Sequence, residues 1–319
     1  MTAMDDELKI FTGRANPKLA ESIGEYLNLR LGRTHAETFP DGELFVKLND
    51  DVRGRDVFVV QPTCNPVNDS LMELLVFMDC LRRASARRIT AVLPYFGYAR
   101  QDRKDEGRVP ISAKLVSNLI REAGADRVVT MDLHAAQIQG FFDIPVDHLQ
   151  AAPAFLKHFK DLDYKNVVFV SPDVGNVKRA RGYAEKVGCD LAIIDKRRTS
   201  GSTAVVHNII GDVEGKDVVM IDDMIATAGT VCEAAKIVRE RGARSVRGAA
   251  THAVFAGQAV ERLEKAPFTE IAVTDTIPLP EATRKRLKNL VVLSVADIIG
   301  EAIARIHKHQ SISSLFQMA

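Results

Sequence analysis

Uninterrupted apolar runs, each only a few residues long, alternate with amphipathic helical stretches along nearly all of this 319-residue chain. A strand with one wet face reads apolar–polar–apolar, whereas a continuous run such as VVFV (167–170) or VVMI (218–221) fits a strand covered on both faces. Strands are expected at Leu8–Phe11, Val57–Gln61, Ile89–Leu93, Arg127–Met131, Val167–Val170, Leu191–Ile194, Val218–Ile221, Val246–Thr251 and Ile271–Val273. Between them, Asp69–Arg83 places Leu71, Leu74, Leu75 and Met78 on one helical face, with Ser70 and Glu73 spaced as a capping box. Val231–Arg241 repeats the pattern and meets its stop at Gly242. Strand–helix alternation of this kind implies an α/β fold with mostly parallel sheets flanked by helices.

At about 150 residues per domain, the length allows two domains. An internal echo supports that number: VVTMDLHA (128–135) resembles VVMIDDMIA (218–226), and LPYFG (93–97) and VSPDVG (170–175) both read strand, Pro, two residues, Gly. The expected division is 1–150, 151–303 and a tail, 304–319, that packs back on the first domain, with the junction near Gln150–Pro153.

Formal net charge is +1, which gives no bulk electrostatic drive toward nucleic acid or membrane. The cations are clustered instead, at Arg82/Arg83/Arg87/Arg88, Arg100/Arg103/Lys104/Arg108, Lys178/Arg179/Arg181 and Lys196/Arg197/Arg198. Such clusters suit a small anionic ligand. Of the four cysteines, Cys80, Cys189 and Cys232 sit in apolar patterns and read as small buried residues, and none forms a C-x-x-C pair with Cys64 or another. A cytoplasmic setting is expected from this and from the acidic start MTAMDDELKI, which lacks a signal-peptide layout.

Five segments can carry chemistry. In VVMIDDMIATAGT (218–230) a buried strand delivers Asp222 and Asp223 to a loop, Ala226–Thr230, that opens a helix. Ligands of open α/β sheets sit beyond the carboxyl ends of the strands, and a helix N-terminus favours phosphate. Gly229 allows close backbone approach, and Thr227 and Thr230 offer hydroxyls. Because carboxylates repel phosphate, the acids should serve another part of the same ligand, either sugar hydroxyls or a phosphate-bound Mg²⁺. A plain N-cap with solvated acids would account for one acid more easily than for two. In VSPDVGNVKRAR (170–181), Asp173 can hold Mg²⁺ or simply cap the turn, and Gly175 and Arg179 can approach an anion. MDLHAAQIQGFF (131–142) brings Asp132 and His134 to a strand end. PYFGYARQDRKDEGR (94–108) offers Arg100 and Arg103 beside aromatics. IDKRRTSGSTA (194–204) runs from a strand into a small-residue loop carrying Lys196, Arg197 and Arg198, useful for stabilising charge in phosphoryl transfer. Solvated basic turns are the ordinary alternative for the last two. No Walker A, G-x-G-x-x-G or nucleophile-elbow motif is present.

Taken together with FPDGE (39–43), DTIPL (275–279) and SISSLF (311–316), these segments resemble the ribose-phosphate pyrophosphokinase (phosphoribosyl pyrophosphate synthetase) family across almost the whole chain. The resemblance implies two tandem phosphoribosyltransferase-type domains and Mg²⁺-dependent transfer of the diphosphoryl group of ATP to the C1 hydroxyl of ribose 5-phosphate. It implies ribose 5-phosphate binding by Asp222, Asp223, Thr227, Ala228, Gly229 and Thr230. ATP contacts fall on Phe39, Asp41, Glu43, Arg100 and Gln101, and Mg²⁺ on His134 and Asp173. Asp173–Val177 matches the pyrophosphate loop, and Lys196 and Arg198 the catalytic flexible-loop pair. Arg53, Ser85, Arg108, Ser311, Ser313 and Phe316 match a regulatory site for phosphate or ADP, and a homo-hexamer built from dimers is implied.

Three positions depart from the family's pattern. Ala226 stands where Asp is frequent, so altered ribose 5-phosphate affinity is expected. Asn176 replaces a usual glycine. Asp51 replaces a serine of the regulatory site, which predicts weak phosphate activation or ADP inhibition. A non-catalytic regulatory subunit is the alternative, but it should have lost Lys196, Arg198, His134 or Asp173, and all are present. A phosphoribosyltransferase would share the acid pair and its loop but needs neither a second domain nor an ATP segment.

Overall fold

The computed structural model describes residues 7–173, 175–198, 205–313 and 315, with only the main chain described at 196–198 and 205–207. Contacts divide the chain into two units. One runs up to Ala151 and adds Thr276–Pro278 and the segment from Ser294 onward; the other takes Ala152–Asp275 and Leu279–Leu293.

In the first unit, five parallel strands take the order β1-β4-β5-β6-β7. They are β1 (Leu8–Thr12), β4 (Asp56–Val60), β5 (Arg88–Leu93), β6 (Arg127–Met131) and β7 (Val146–Leu149), with β2 (Thr34–Thr38) and β3 (Leu44–Leu48) forming a separate antiparallel hairpin. Every residue of β4 is buried, as its continuous apolar run requires. Helix α1 (Pro17–Leu27) begins with Pro17 in its first turn and Asn16 as N-cap, whose side chain accepts from the Leu19 backbone N–H at 3.4 Å.

Helix α2 (Val67–Arg83) buries Leu71, Leu74 and Met78 as expected, but the capping box does not form. The helix starts earlier than its apolar pattern, at Val67 with Pro66 as N-cap, so Ser70 is already inside the first turn and its backbone N–H donates to the Pro66 carbonyl at 2.9 Å. Glu73 is recruited by tertiary partners instead, accepting from Arg14 N at 3.0 Å, Arg14 Nε at 3.2 Å and Gln61 Nε2 at 3.3 Å. Helix α3 (Ser112–Ala123) completes this stretch.

In the second unit, seven strands take the order β10-β9-β8-β11-β12-β13-β14. They are β8 (Val167–Ser171), β9 (Asp190–Arg198), β10 (Val205–Ile210), β11 (Asp217–Ile225), β12 (Ser245–Ala253), β13 (Glu270–Thr274) and β14 (Leu290–Leu293), all parallel to their neighbours except β10. The helices are α4 (Ala152–Phe159), α5 (Val177–Val187), α6 (Gly229–Glu240), α7 (Ala259–Lys265) and α8 (Glu281–Arg286). Helix α6 seats Val231, Ala234, Ala235 and Val238 against Val168, Val170, Val218 and Met220 of the sheet, and Gly242 ends that segment with φ +89°. Each such large aliphatic side chain, fully buried, stabilises by roughly 1.5–3 kcal/mol.

The last helix, α9 (Ala296–His307), belongs to the first unit and packs on α1. His307 Nδ1 lies 2.8 Å from Asp56 Oδ2, a carboxylate that is fully buried and also receives Arg88 Nε at 2.8 Å. No helix among the described residues is long and apolar enough to cross a membrane. All four cysteines are free thiols; Cys64 and Cys232 are buried, whereas Cys80 and Cys189 are only half-buried, Cys80 in the last turn of α2 and Cys189 in the turn between α5 and β9.

Candidate active site

The second sheet reverses direction at its centre. From β8 the chain moves outward to β9 and β10, then returns to the other side of β8 as β11 and proceeds outward through β12 and β13. Such a switch point opens a crevice at the carboxyl ends of the two strands. The first sheet, ordered without reversal, has no equivalent.

Asp222 and Asp223 lie at this switch point, but inside β11 rather than beyond it. The ladder with β8 stops at Met220–Val170, whereas the ladder with β12 continues to Ile225–Ala253. The long neighbour β12 thus carries β11 past its other partner, and the acids emerge where one edge of the strand is uncovered. Asp223 is buried and Asp222 half-buried. Asp222 Oδ1 accepts from the Asp223 backbone N–H at 2.7 Å and from Asn176 Nδ2 at 2.6 Å. Burial, reinforced by the Asp223 carboxyl beside it, pushes Asp222 up to about 8.

The loop that follows turns through Ala228, which takes the left-handed conformation at φ +60° and is buried at the N-cap of α6. Gly229, expected to allow close backbone approach, is the first helical residue. A Cβ on Gly229 would meet Arg262 Nη1 at 3.5 Å and Thr227 Oγ1 at 3.9 Å, ordinary contacts, so the protein alone does not require glycine there. The space left is a cradle beside a helix start whose N-cap residue, Ala228, has no side chain able to cap it. Free amide donors and the positive end of the helix dipole favour an anion at such a place. Thr227 and Thr230 are exposed at its rim.

A second segment holds this loop from outside. Phe255 N donates to Ile225 O at 3.0 Å, Ala256 N to Ala226 O at 2.9 Å, and Arg262 Nη1 to Thr227 O at 2.9 Å. Arg262 carried no signal in the sequence: its approach depends on how the β12–α7 connection folds back, and its own segment reads as an ordinary exposed helix.

Across the switch point, Asp173 follows β8 and is half-buried, with Oδ1 accepting from the Asn176 backbone N–H at 3.0 Å. A Cβ on Gly175 would press to 3.2 Å from that oxygen. Among the described residues no group of three or more His, Cys, Asp or Glu could hold a metal ion alone. Mg²⁺, however, keeps several waters and commonly takes only one or two protein carboxylates plus substrate phosphates, so the Asp173 carboxylate fits one position of such an ion.

The remaining predicted residues are distributed as follows. His134, exposed, follows β6 in the first unit, after Asp132, whose Oδ2 accepts from Ala151 N at 3.0 Å. Arg100 is exposed on the loop after β5; Gln101 accepts Ser112 Oγ on its Oε1 at 2.5 Å. Phe39, Asp41 and Glu43 form the exposed β2–β3 turn, closed by Phe39 N to Glu43 O at 2.8 Å and Glu43 N to Asp41 Oδ1 at 3.1 Å. Arg53 Nη1 donates to Ser85 Oγ at 3.2 Å, and Ser311 and Ser313 are joined by their hydroxyls at 3.1 Å, while Arg108 is on the exposed loop before α3. Asp51 Oδ1 accepts from the Arg53 backbone N–H at 3.1 Å. Phe316 and Val174 lie outside the described residues, as do the side chains of Lys196 and Arg198. The main chain at Lys196–Arg198, expected on a loop, continues β9 because it pairs with His207–Val205 of β10.

Comparison with known proteins accords with this architecture. A family model described as the N-terminal domain of ribose phosphate pyrophosphokinase matches residues 8–124, and one described as the phosphoribosyl synthetase-associated domain matches 202–317. The chain is 60% identical over 314 residues to a ribose-phosphate pyrophosphokinase of Rhodopirellula baltica, covering 98% of this chain and 99% of the relative. A Gloeobacter violaceus protein of the same name is 55% identical, with 98% and 94% covered. The crystal structure of phosphoribosylpyrophosphate synthetase from Mycobacterium smegmatis superposes with a TM-score of 0.88 at 42% identity, over 95% of this chain and all of that one.

Proposed function

Because the chain belongs to the ribose-phosphate pyrophosphokinase family of enzymes, we propose that it transfers the diphosphoryl group of Mg²⁺-bound ATP to the C1 hydroxyl of ribose 5-phosphate, giving 5-phosphoribosyl 1-pyrophosphate and AMP. One observation carries the reading: two carboxylates on the uncovered edge of β11 lead directly into a helix start with no capping side chain at Ala228 and a cradle at Gly229. An anion-accepting end and a hydroxyl-accepting end, joined by a short loop, are the complement of a sugar phosphate.

In this reading the backbone amides of Ala228, Gly229 and Thr230, with the Thr227 and Thr230 hydroxyls, take the 5-phosphate. Asp222 and Asp223 accept from the ring hydroxyls and fix the sugar so that C1–OH faces the β-phosphorus in line. Binding both reactants in one orientation removes much of the entropic barrier of a bimolecular step. Asp173 and His134 would each serve as Mg²⁺ ligands, and bound Mg²⁺ would neutralise phosphate charge. Lys196 and Arg198 stabilise charge on the diphosphoryl group in flight. Phe39, Asp41, Glu43, Arg100 and Gln101 bind ATP. Arg53, Ser85, Arg108, Ser311, Ser313 and Phe316 form a site for phosphate or ADP, in a cytoplasmic homo-hexamer that serves nucleotide biosynthesis. With Asp51 beside Arg53, activation by phosphate or inhibition by ADP is weak.

Incubation of the chain with Mg²⁺, ATP and ribose 5-phosphate, followed by ³¹P NMR, tests the reaction. Stoichiometric AMP and a new diphosphate-ester resonance are expected. ADP in place of AMP, or no turnover, overturns the reading.

A further inference from the structure

Asn176 is the N-cap residue of α5, a position where asparagine ordinarily turns its side-chain oxygen onto the first-turn N–H groups of its own helix. It does not do so here. Its own side chain makes no capping bond to α5, and Asn176 Nδ2 donates to Asp222 Oδ1 at 2.6 Å instead. The Asn176 backbone N–H meanwhile donates to Asp173 Oδ1 at 3.0 Å. One residue is therefore bonded at once to the carboxylate on the loop after β8 and to the carboxylate on β11. Asp222 Oδ1 already holds two donors, counting the Asp223 backbone N–H at 2.7 Å. A carboxylate oxygen has two lone pairs, so a sugar hydroxyl arriving at Oδ1 must displace one of them. The backbone donor is fixed by β11, whereas the carboxamide sits on a half-exposed side chain that can rotate away.

We propose that Asn176 couples the sugar half of the site to the diphosphate half, acting as an internal competitor at Asp222. A sugar hydroxyl that takes Asp222 Oδ1 releases the carboxamide, which then takes up the ordinary N-cap role on α5 and steadies the loop bearing Asp173. Sugar and nucleotide binding are then positively linked through one positioning residue. The inference rests on the reading above, in which Asp222 receives the sugar and the Asp173 loop receives the Mg²⁺-diphosphate.

The test is equilibrium binding of ribose 5-phosphate to the full chain, with and without saturating Mg²⁺ and α,β-methylene-ATP, whose α–β bridge cannot be cleaved. Wild type should bind the sugar phosphate about fivefold or more tightly with the analogue present, within the usual range of coupling energies. Asn176→Ala, and Asn176→Ser, which can still cap α5 but is too short to span to Asp222, should bind it about two- to fivefold more tightly without the analogue, as expected on losing one competing hydrogen bond. Their ratio with and without analogue should fall to near one. A ratio unchanged from wild type, a wild-type ratio of one, or weaker sugar binding in the variants overturns the coupling. Failure of wild type to bind ribose 5-phosphate at all overturns the functional reading instead.

Discussion

The two ends of β11 present the same residue type in opposite circumstances. At its start, Asp217 accepts Ser245 Oγ at 2.6 Å and Arg244 Nε at 3.0 Å on Oδ1, while Arg244 Nη2 bonds Oδ2. The guanidinium holds this carboxyl down at about 2. Near the other end, Asp222 has no cation among its described hydrogen-bond partners, which are the Asn176 amide, the Asp223 backbone N–H and the Asp223 carboxyl, and burial beside Asp223 pushes it up to about 8. Where a strand enters, its charges are satisfied by the fold. Where it leaves, at the switch point, the fold retains an acid whose charge it disfavours. Local stability sacrificed at one end of a well-packed strand marks that end as the place for a ligand.

The largest effect should come from removing the disfavoured acid. Asp222→Asn is expected to lower kcat/KM by roughly a hundredfold or more, the scale seen when an oriented polar group at a transition state is lost. Its effect on stability should have the opposite sign. Below an ordinary carboxylate value of 3.8, folded and unfolded chains are both protonated at Asp222. As pH rises from there to about 8, the unfolded chain releases the proton and the folded chain keeps it, so folding weakens across that window. Asparagine cannot titrate, so the variant's stability should fall less steeply between pH 4 and 8 than that of wild type, measured by urea denaturation. A variant that lost activity and kept the wild-type slope would break the comparison.

A smaller effect is expected at Gly229. Its missing Cβ leaves a space that the protein itself does not need. Gly229→Ala should leave the melting temperature unchanged or slightly raised, since alanine is the better helix former by about 1 kcal/mol in a helix interior. The KM for ribose 5-phosphate should rise about tenfold, as a methyl group intrudes on close backbone–phosphate contact. Equal KM values would show that the phosphate does not use this helix start. Arg262→Ala, which frees the Thr227 carbonyl, should raise the same KM by about threefold, the scale of one exposed hydrogen bond.

These residues also show what the sequence made legible. VVFV and VVMI announced strands buried on both faces, and the acid pair followed by T-x-G-T pointed to the candidate site, because both signals are local. The extension of β11 through Asp222 and Asp223 was not local: it depends on β12 being long enough to keep pairing after β8 has ended. The same holds for the β9–β10 hairpin, which recruits Lys196–Arg198 into a strand despite the loop-like residues after them. Ser70 and Glu73 matched a capping box that failed because the helix starts earlier, at Val67, and because Arg14 and Gln61, distant in sequence, bind Glu73. Arg262 and the Asn176–Asp222 bond were invisible for the same reason: each is a contact between segments far apart in the chain. The alternation of strands and helices fixes the order of the elements, but the lengths of neighbouring strands decide where a side chain leaves the sheet.

The smallest effect should come from the satisfied end of β11. Arg244→Ala removes the partner of Asp217 yet touches nothing at the switch point, so kcat and both KM values should stay at wild-type levels. The sign of its pH effect is opposite to that of Asp222. A carboxyl held below its ordinary value contributes stability above pH 3.8, and that contribution disappears as pH falls toward about 2. Arg244 is 56% exposed, so solvent screens the pair and its contribution near neutral pH should be small. Wild type should therefore lose this increment on acidification while Arg244→Ala, already without it, shows a shallower acid limb, read by denaturation at pH 2 to 5. If Arg244→Ala instead impaired catalysis, the two ends of the strand would not be separable, and the division of β11 into a stabilising end and a functional end would fail.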